Sequence, residues 1–425
     1  MSLCGIVVLL GLCHALSNNR RAISWRLVGV GLGIQAVLGV TFLYWSAGNA
    51  ALRGFGDGVD RFLQLSVKGS SFVFGALTDP ATVGKAFGEN QGFLFAFKVL
   101  PTLIFFSAFM AVLYHMGVMQ FIVGIMARVM VRLLGTSGSE SLSACANVFV
   151  GQTEAPLLVK PFLPTMTRSE LFTVMVGGFA TIAGGVFALY VSFGVQAGHL
   201  MVASVMAVPA GLICAKMVFP ETETSRTLGR VDKIETEGYG NVVEAAAAGA
   251  GDGLKLALNV GAMLIAFLGL VAVLDWVLAQ GYGIYHDLLD AGAGPTPESP
   301  VTVKSLLGLL FWPIAAVMGV PTQDITPLSQ LLGTKLAVTE LVAYKDLTAM
   351  TKANAISPRT AMIASFALCG FANIGSVAIQ IGGLGAIAPE RRGDLAKIGL
   401  RAMLAGAIAT CMTACVAGVL ASEGA

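Results

Sequence analysis

From Leu171 to Val191 the chain carries no charged side chain, and comparable apolar runs recur along its 425 residues. About 20 such residues cross a bilayer as one helix. Charged residues make up 12% and hydrophobic residues 56%, against roughly 25% charged in soluble domains. A water-soluble fold could not hide that much apolar surface, so the chain reads as an all-α integral membrane protein. The formal net charge of +2 provides no basic face for nucleic acid. His14, His115, His199 and His286 are scattered without metal-ligand spacing. Most of the seven cysteines, among them Cys145, Cys214, Cys369, Cys411 and Cys415, lie in apolar segments as small packing residues. No disulfide framework or zinc site is read from them. The apolar run begins at Leu3 with its charges after it, the reverse of a secretory signal, so the first segment reads as a retained helix.

Eight spans are expected: about residues 3–17, 27–46, 93–116, 171–191, 201–219, 254–278, 361–387 and a last one ending near Leu420. Residues 47–91, glycine-rich and amphipathic near Gly58–Val67, read as a surface-lying helix and loop. Two further stretches break up. Phe121–Pro164 is interrupted by Arg128, Arg132, Glu140, Glu154 and Lys160, and Leu306–Tyr344 by Asp324, Lys335, Glu340 and three prolines. Such backbone enters a membrane only where protein shields it, so both read as re-entrant hairpins. Pro220–Asn241 reads as a cytoplasmic loop and Gly281–Pro300 as an external one. Basic clusters follow spans one, three, five and seven, which places both termini outside.

The two hairpins share a signature. Gln152-Thr153-Glu154 is followed by Gly178-Phe179-Ala180-Thr181-Ile182, and Thr339-Glu340 by Gly370-Phe371-Ala372-Asn373-Ile374. In the expected topology the first enters from the cytoplasm and the second from outside. That makes an inverted repeat, the plan of many secondary transporters, with a site near the midplane. An acid at a helix centre costs roughly 2.5–3.5 kcal/mol, and intramembrane acids are usually functional. Either acid alone could instead cap a hairpin tip by bonding backbone amides. Lys335 could pair with an acid or sit at the outer mouth of its hairpin, and the second is the favoured reading.

Three stretches resemble the concentrative nucleoside transporter family, in its bacterial sodium-coupled branch: Asn147 to Leu157, Lys255 to Met263, and Cys369 to Asn373. The resemblance spans Arg20 to Arg401. It implies eight transmembrane helices, two re-entrant hairpins, interfacial helices and a homotrimer in the bacterial inner membrane. It also implies a scaffold (residues 1–116 and 220–280, with the sixth span) and a transport domain in two halves (117–219 and 301–425). The transport domain would move as an elevator. Residue by residue, Gln152 and Thr153 match positions that bond the nucleobase, and Glu154 one that reaches it through water. Val186, Leu256 and Phe371 match apolar contacts around the base. Glu340, Asn373 and Ser376 match ribose-binding positions, the last two sharing a face if that backbone is helical. Asn147, Val150, Thr181 and Ile182 match a sodium site of neutral oxygens. Thr181 stands where related bacterial sequences carry serine, so the hydroxyl is kept with an added methyl.

The expected function is sodium-driven import of nucleosides such as uridine, with sodium as the co-transported ion. The alternative is proton coupling through Glu154 or Glu340. A membrane hydrolase is disfavoured, because the chain has no His-Glu-x-x-His, Gly-x-Ser-x-Gly or Walker pattern.

Overall fold

The computed structural model describes residues 1–88, 94–98, 100–231, 239–289 and 301–420. Most of the expected external segment 281–300 and the extreme C-terminus lie outside the described residues. The described chain is almost wholly helical, with helices α1 (Ser2–Ala15), α2 (Trp25–Gly39), α3 (Ser46–Phe74), α4 (Pro80–Phe87), α5 (Phe95–Lys98) and α6 (Leu100–His115). There follow α7 (Val118–Leu134), α8 (Gly138–Ala146), α9 (Arg168–Ala180), α10 (Gly184–Phe193), α11 (Ala197–Val218) and α12 (Val242–Leu289). The last third holds α13 (Val303–Val317), α14 (Ile325–Ala337), α15 (Glu340–Lys352), α16 (Pro358–Leu368), α17 (Ile374–Ile387) and α18 (Arg392–Leu420).

Among the described residues, six stretches are long and apolar enough to cross a membrane: Trp25–Tyr44, Phe95–His115, Arg168–Phe193, Ala197–Val218, Val242–Tyr282 and Pro389–Leu420. The chain is a multi-pass membrane protein. α1 is apolar but shorter, and the expected seventh span is divided between α16 and α17. Segment 47–91 is helical through most of its described length, as α3 and α4, rather than half loop.

One succession occurs twice. α7, α8, the α9–α10 pair and α11 correspond in order to α13, α14 with α15, the α16–α17 pair and α18. Phe121–Pro164 and Leu306–Tyr344 each hold more than one helix: most of α7 with α8 in the first, and most of α13, α14 and the start of α15, which runs on to Lys352, in the second. α7 is set off by Gly117 and Gly135, both in left-handed backbone at φ 79° and 70°, a conformation that costs glycine little. Its exposed stripe of Phe121, Ile125, Val129 and Leu133 repeats at four-residue spacing. An apolar helix face of that kind belongs against lipid or protein.

Burial separates two kinds of helix. α9, α10 and α11 are enclosed by protein, whereas α12 leaves Leu258, Ile265, Leu270, Val273 and Trp276 exposed. α12 packs closely on α6 because glycine removes the side chain at the crossing. A Cβ at Gly249 would stand 2.5 Å from Ala111 Cβ, and one at Gly253 2.7 Å from Ile104 Cα. Small residues allow such approach in apolar surroundings, where packing drives association.

Polar clusters anchor the buried helices. Glu140 accepts the Ser137 N–H at 2.8 Å, ahead of α8. Thr167 and Glu170 form a reciprocal cap at the start of α9, at 3.0 and 2.8 Å. Lys216 of α11 stands 2.7 Å from the Glu140 carboxylate and donates to Ser169 Oγ at 2.9 Å. In the second succession Asp324 takes this part. It accepts from Ser357 N–H and Oγ and from Thr360 Oγ, at 3.0, 2.7 and 2.6 Å, and so holds Ser357, the N-cap of α16.

Candidate functional site

Two broken helices meet at the centre. α9 stops at Ala180 and α10 starts at Gly184, while α16 stops at Leu368 and α17 starts at Ile374. The breaks touch: Phe371 N–H donates to Thr181 O at 3.2 Å. A Cβ at Gly370 would stand 2.6 Å from Phe179 O, so this crossing requires glycine. The matching fourth positions of the repeated motif serve opposite helix ends. Thr181 is the C-cap of α9, whereas Asn373 is the N-cap of α17. Helix C-termini carry partial negative charge and N-termini partial positive charge. One copy therefore presents an end suited to a cation and the other an end suited to an oxygen-rich group.

Glu340, Asn373 and Ser376 are brought together and buried. Glu340 opens α15, where Thr339 Oγ accepts the Leu341 N–H at 3.0 Å. Its two oxygens accept from Tyr190 OH at 2.8 Å and Asn373 Nδ2 at 3.0 Å. The Asn373 carbonyl oxygen accepts the Ser376 N–H at 2.8 Å. Asn373 and Ser376 are thus joined by a cap bond rather than by one helical face. A carboxylate has about four acceptor positions, so Glu340 keeps capacity for hydroxyls. Tyr190 is held by Tyr344, with ring centroids 4.3 Å apart.

The first tip is less uniform. Gln152 is buried and accepts from Gln380 Nε2 at 3.0 Å. Thr153 is half-buried and reaches Gly383 of α17, where a Cβ would be 2.9 Å from Thr153 Cγ2. Glu154, expected among buried acids, is exposed, with its carboxylate over Gly151. It lies in a turn ahead of a short 3-10 segment rather than inside a helix. The paired acids differ in this respect: Glu340 alone is buried. Val186 is buried and Phe371 half-buried. Leu256 of α12 is half-buried and borders α10, with a Cβ at Gly185 falling 3.4 Å from Leu256 Cδ2.

Asn147, Thr181 and Ile182 are buried and Val150 is half-buried. Asn147 Nδ2 donates to Ser143 O at 2.9 Å, and its Oδ1 is buried without a hydrogen-bond partner. An unpartnered buried acceptor is costly and suits a cation. Thr181 Oγ donates to Gly177 O at 2.8 Å, which leaves its lone pairs to accept. α8 and α9 approach closely here, since a Cβ at Gly177 would stand 3.4 Å from both Ala144 Cα and Asn147 Nδ2. Neutral oxygens of this kind suit a hard monovalent ion that must also leave.

Sequence reasoning missed Tyr190, Gln380 and the buried role of Lys335. Lys335 is buried rather than set at an open mouth, and among the described residues it makes no direct ion pair. It is 3% exposed and donates to Ala367 O and Thr410 Oγ, each at 2.8 Å. Ala367 lies in the last turn of α16, where carbonyls lack intrahelical donors. The only signal available in sequence was the polarity of these side chains within apolar runs.

An assembly of two broken helices around a buried carboxylate and an unpartnered amide oxygen defines a membrane transporter of the discontinuous-helix class. Family comparisons agree. The model described as "Na+ dependent nucleoside transporter C-terminus" matches residues 199–418, the corresponding N-terminus model residues 4–77, and "Nucleoside recognition" residues 96–197. An uncharacterized transporter of Haemophilus influenzae is 44% identical over 100% of this chain and 98% of its own length. Sodium/nucleoside cotransporter 1 of Mus musculus is 40% identical over 99% of this chain and 63% of its own length. The structure of CNTnw in an inward-facing substrate-bound state superposes with a TM-score of 0.90 at 41% identity, covering 99% of this chain and 97% of the other. The chain belongs to the concentrative nucleoside transporter family, whose members are transporters rather than enzymes.

Proposed function

We propose that the protein imports nucleosides such as uridine with sodium across a bacterial inner membrane. The bond from Phe371 N–H to Thr181 O carries this reading, because it joins the break that would hold the ion to the break that would hold the substrate. Sodium on Asn147 Oδ1, Thr181 Oγ and the carbonyls of Val150 and Ile182 would steady the first tip, with Gln152 and Thr153 on the base and Glu154 reaching it through water. Val186, Leu256 and Phe371 line the base, and Glu340, Asn373 and Ser376 take the ribose.

In this reading α8 and α14–α15 belong to re-entrant hairpins of an inverted repeat, and the termini lie outside. Residues 1–116 and 220–280 form a scaffold, with the exposed face of α12 toward lipid or the other copies of a homotrimer. Residues 117–219 and 301–425 travel past it as an elevator. Each sodium ion contributes about 2.3 kcal/mol per 100 mV of membrane potential.

Uridine is expected to accumulate in proteoliposomes under an inward sodium gradient and not under a pH gradient alone. Uptake indifferent to sodium would overturn the coupling. Proton coupling has no support among the family matches. Analogues lacking both ribose hydroxyls are expected to compete at least about 100-fold more weakly than uridine, because the buried groups that meet those hydroxyls are left unpaired. Equal competition by a dideoxynucleoside would remove Glu340 from the ribose.

A further inference from the structure

Gln380 of α17 is 1% exposed and Gln152 is 8% exposed. Gln380 Nε2 lies 3.1 Å from Met175 O and 3.0 Å from Gln152 Oε1. A backbone carbonyl can only accept, so Met175 determines which end of the Gln380 amide faces it. Both Gln380 N–H groups are then engaged, one on Met175 and one on Gln152. Gln152 must turn its oxygen toward Gln380, since the reverse would set one NH2 group against another. Room for this relay comes from Gly178, the first residue of the repeated motif. A Cβ there would stand 2.5 Å from Gln380 Nε2 and 2.8 Å from Gln152 Cβ.

We propose that Gln380 is a specificity-determining residue: it turns Gln152 to present N–H donors, so the site prefers a base carrying an exocyclic carbonyl over one carrying an amine. The inference rests on the reading that Gln152 meets the base. A uracil-type 4-oxo or a hypoxanthine-type 6-oxo group accepts from those donors. The amine of cytosine or adenine would confront them with further donors. Thr153 does not decide between the two, because a hydroxyl can donate or accept.

The test is competition against labelled uridine by uridine, cytidine, inosine and adenosine, in the intact transporter and in Gln380→Glu, Gln380→Met and Gln152→Ala. The native protein should favour each oxo base over its amino counterpart by about tenfold, the ratio that corresponds to roughly 1.4 kcal/mol. Gln380→Glu should reverse the preference, because the introduced carboxylate calls for the Gln152 NH2 and turns its oxygen toward the base. Gln380→Met should bring the ratio near one. A native protein with no oxo preference overturns the proposal even if no variant folds, as does Gln380→Glu or Gln380→Met with the native ratio. If Gln152→Ala leaves all four affinities unchanged, the placement of Gln152 on the base fails instead.

Discussion

Glu340→Gln should weaken uridine binding by about 10–100-fold in calorimetry, the equivalent of losing one charge-assisted hydrogen bond at roughly 1.5–3 kcal/mol. The loss should fall on the ligand rather than on the fold. An amide at this position can keep its oxygen toward Asn373 Nδ2, now at 3.0 Å, and place its NH2 toward Tyr190 OH, now at 2.8 Å. The tyrosine hydroxyl can rotate to accept. Melting temperature should change little while affinity drops. Native affinity in this variant would remove the carboxylate from the substrate.

Lys216→Met should destabilise the protein by about 3–5 kcal/mol, the usual cost of leaving one member of a buried ion pair alone. Glu140 is 1% exposed and has the Lys216 ammonium at 2.7 Å. Removing that ammonium leaves a carboxylate with little water, and Ser169 Oγ loses its donor as well. Thermal unfolding in detergent should show a large drop for Lys216→Met. Combining it with Glu140→Gln should recover part of the loss, since the stranded charge is gone. Equal melting of the single and double variants would show that the cost is packing and not charge.

Much of the fold was legible because hydropathy is a local property. Uninterrupted apolar runs marked α2, α11 and α18, and the breaks in that pattern at 121–164 and 306–344 marked where regular spans cease. The helical continuity of α3 was missed because its glycines lower local helix propensity. The division of residues 121–164 and 306–344 into separate helices was not legible for a related reason. α7 and α13 are amphipathic, and a charge interruption looks the same whether a helix lies beside a hairpin or forms part of it.

The site was legible only through motif and resemblance. Glu154 and Glu340 sit in matching sequence contexts, yet one is exposed and the other buried, because a turn holds the first and a helix N-terminus the second. Gln380 lies 228 positions from the Gln152 it contacts, and Tyr190 lies 150 positions from Glu340. No pattern in neighbouring residues reports such partners.

The sequence by itself determined that this chain lives in a membrane, that a Thr-Glu and Gly-Phe-Ala signature occurs twice, and which family it resembles. These follow from composition and order along the chain. Only the tertiary structure decided which acid loses its water, that Thr181 ends one helix while Asn373 begins another, and that Lys335 is spent on Ala367 and Thr410. Those outcomes depend on which helix ends cross at the centre, where the local field and the available partners are set by residues far away in the chain.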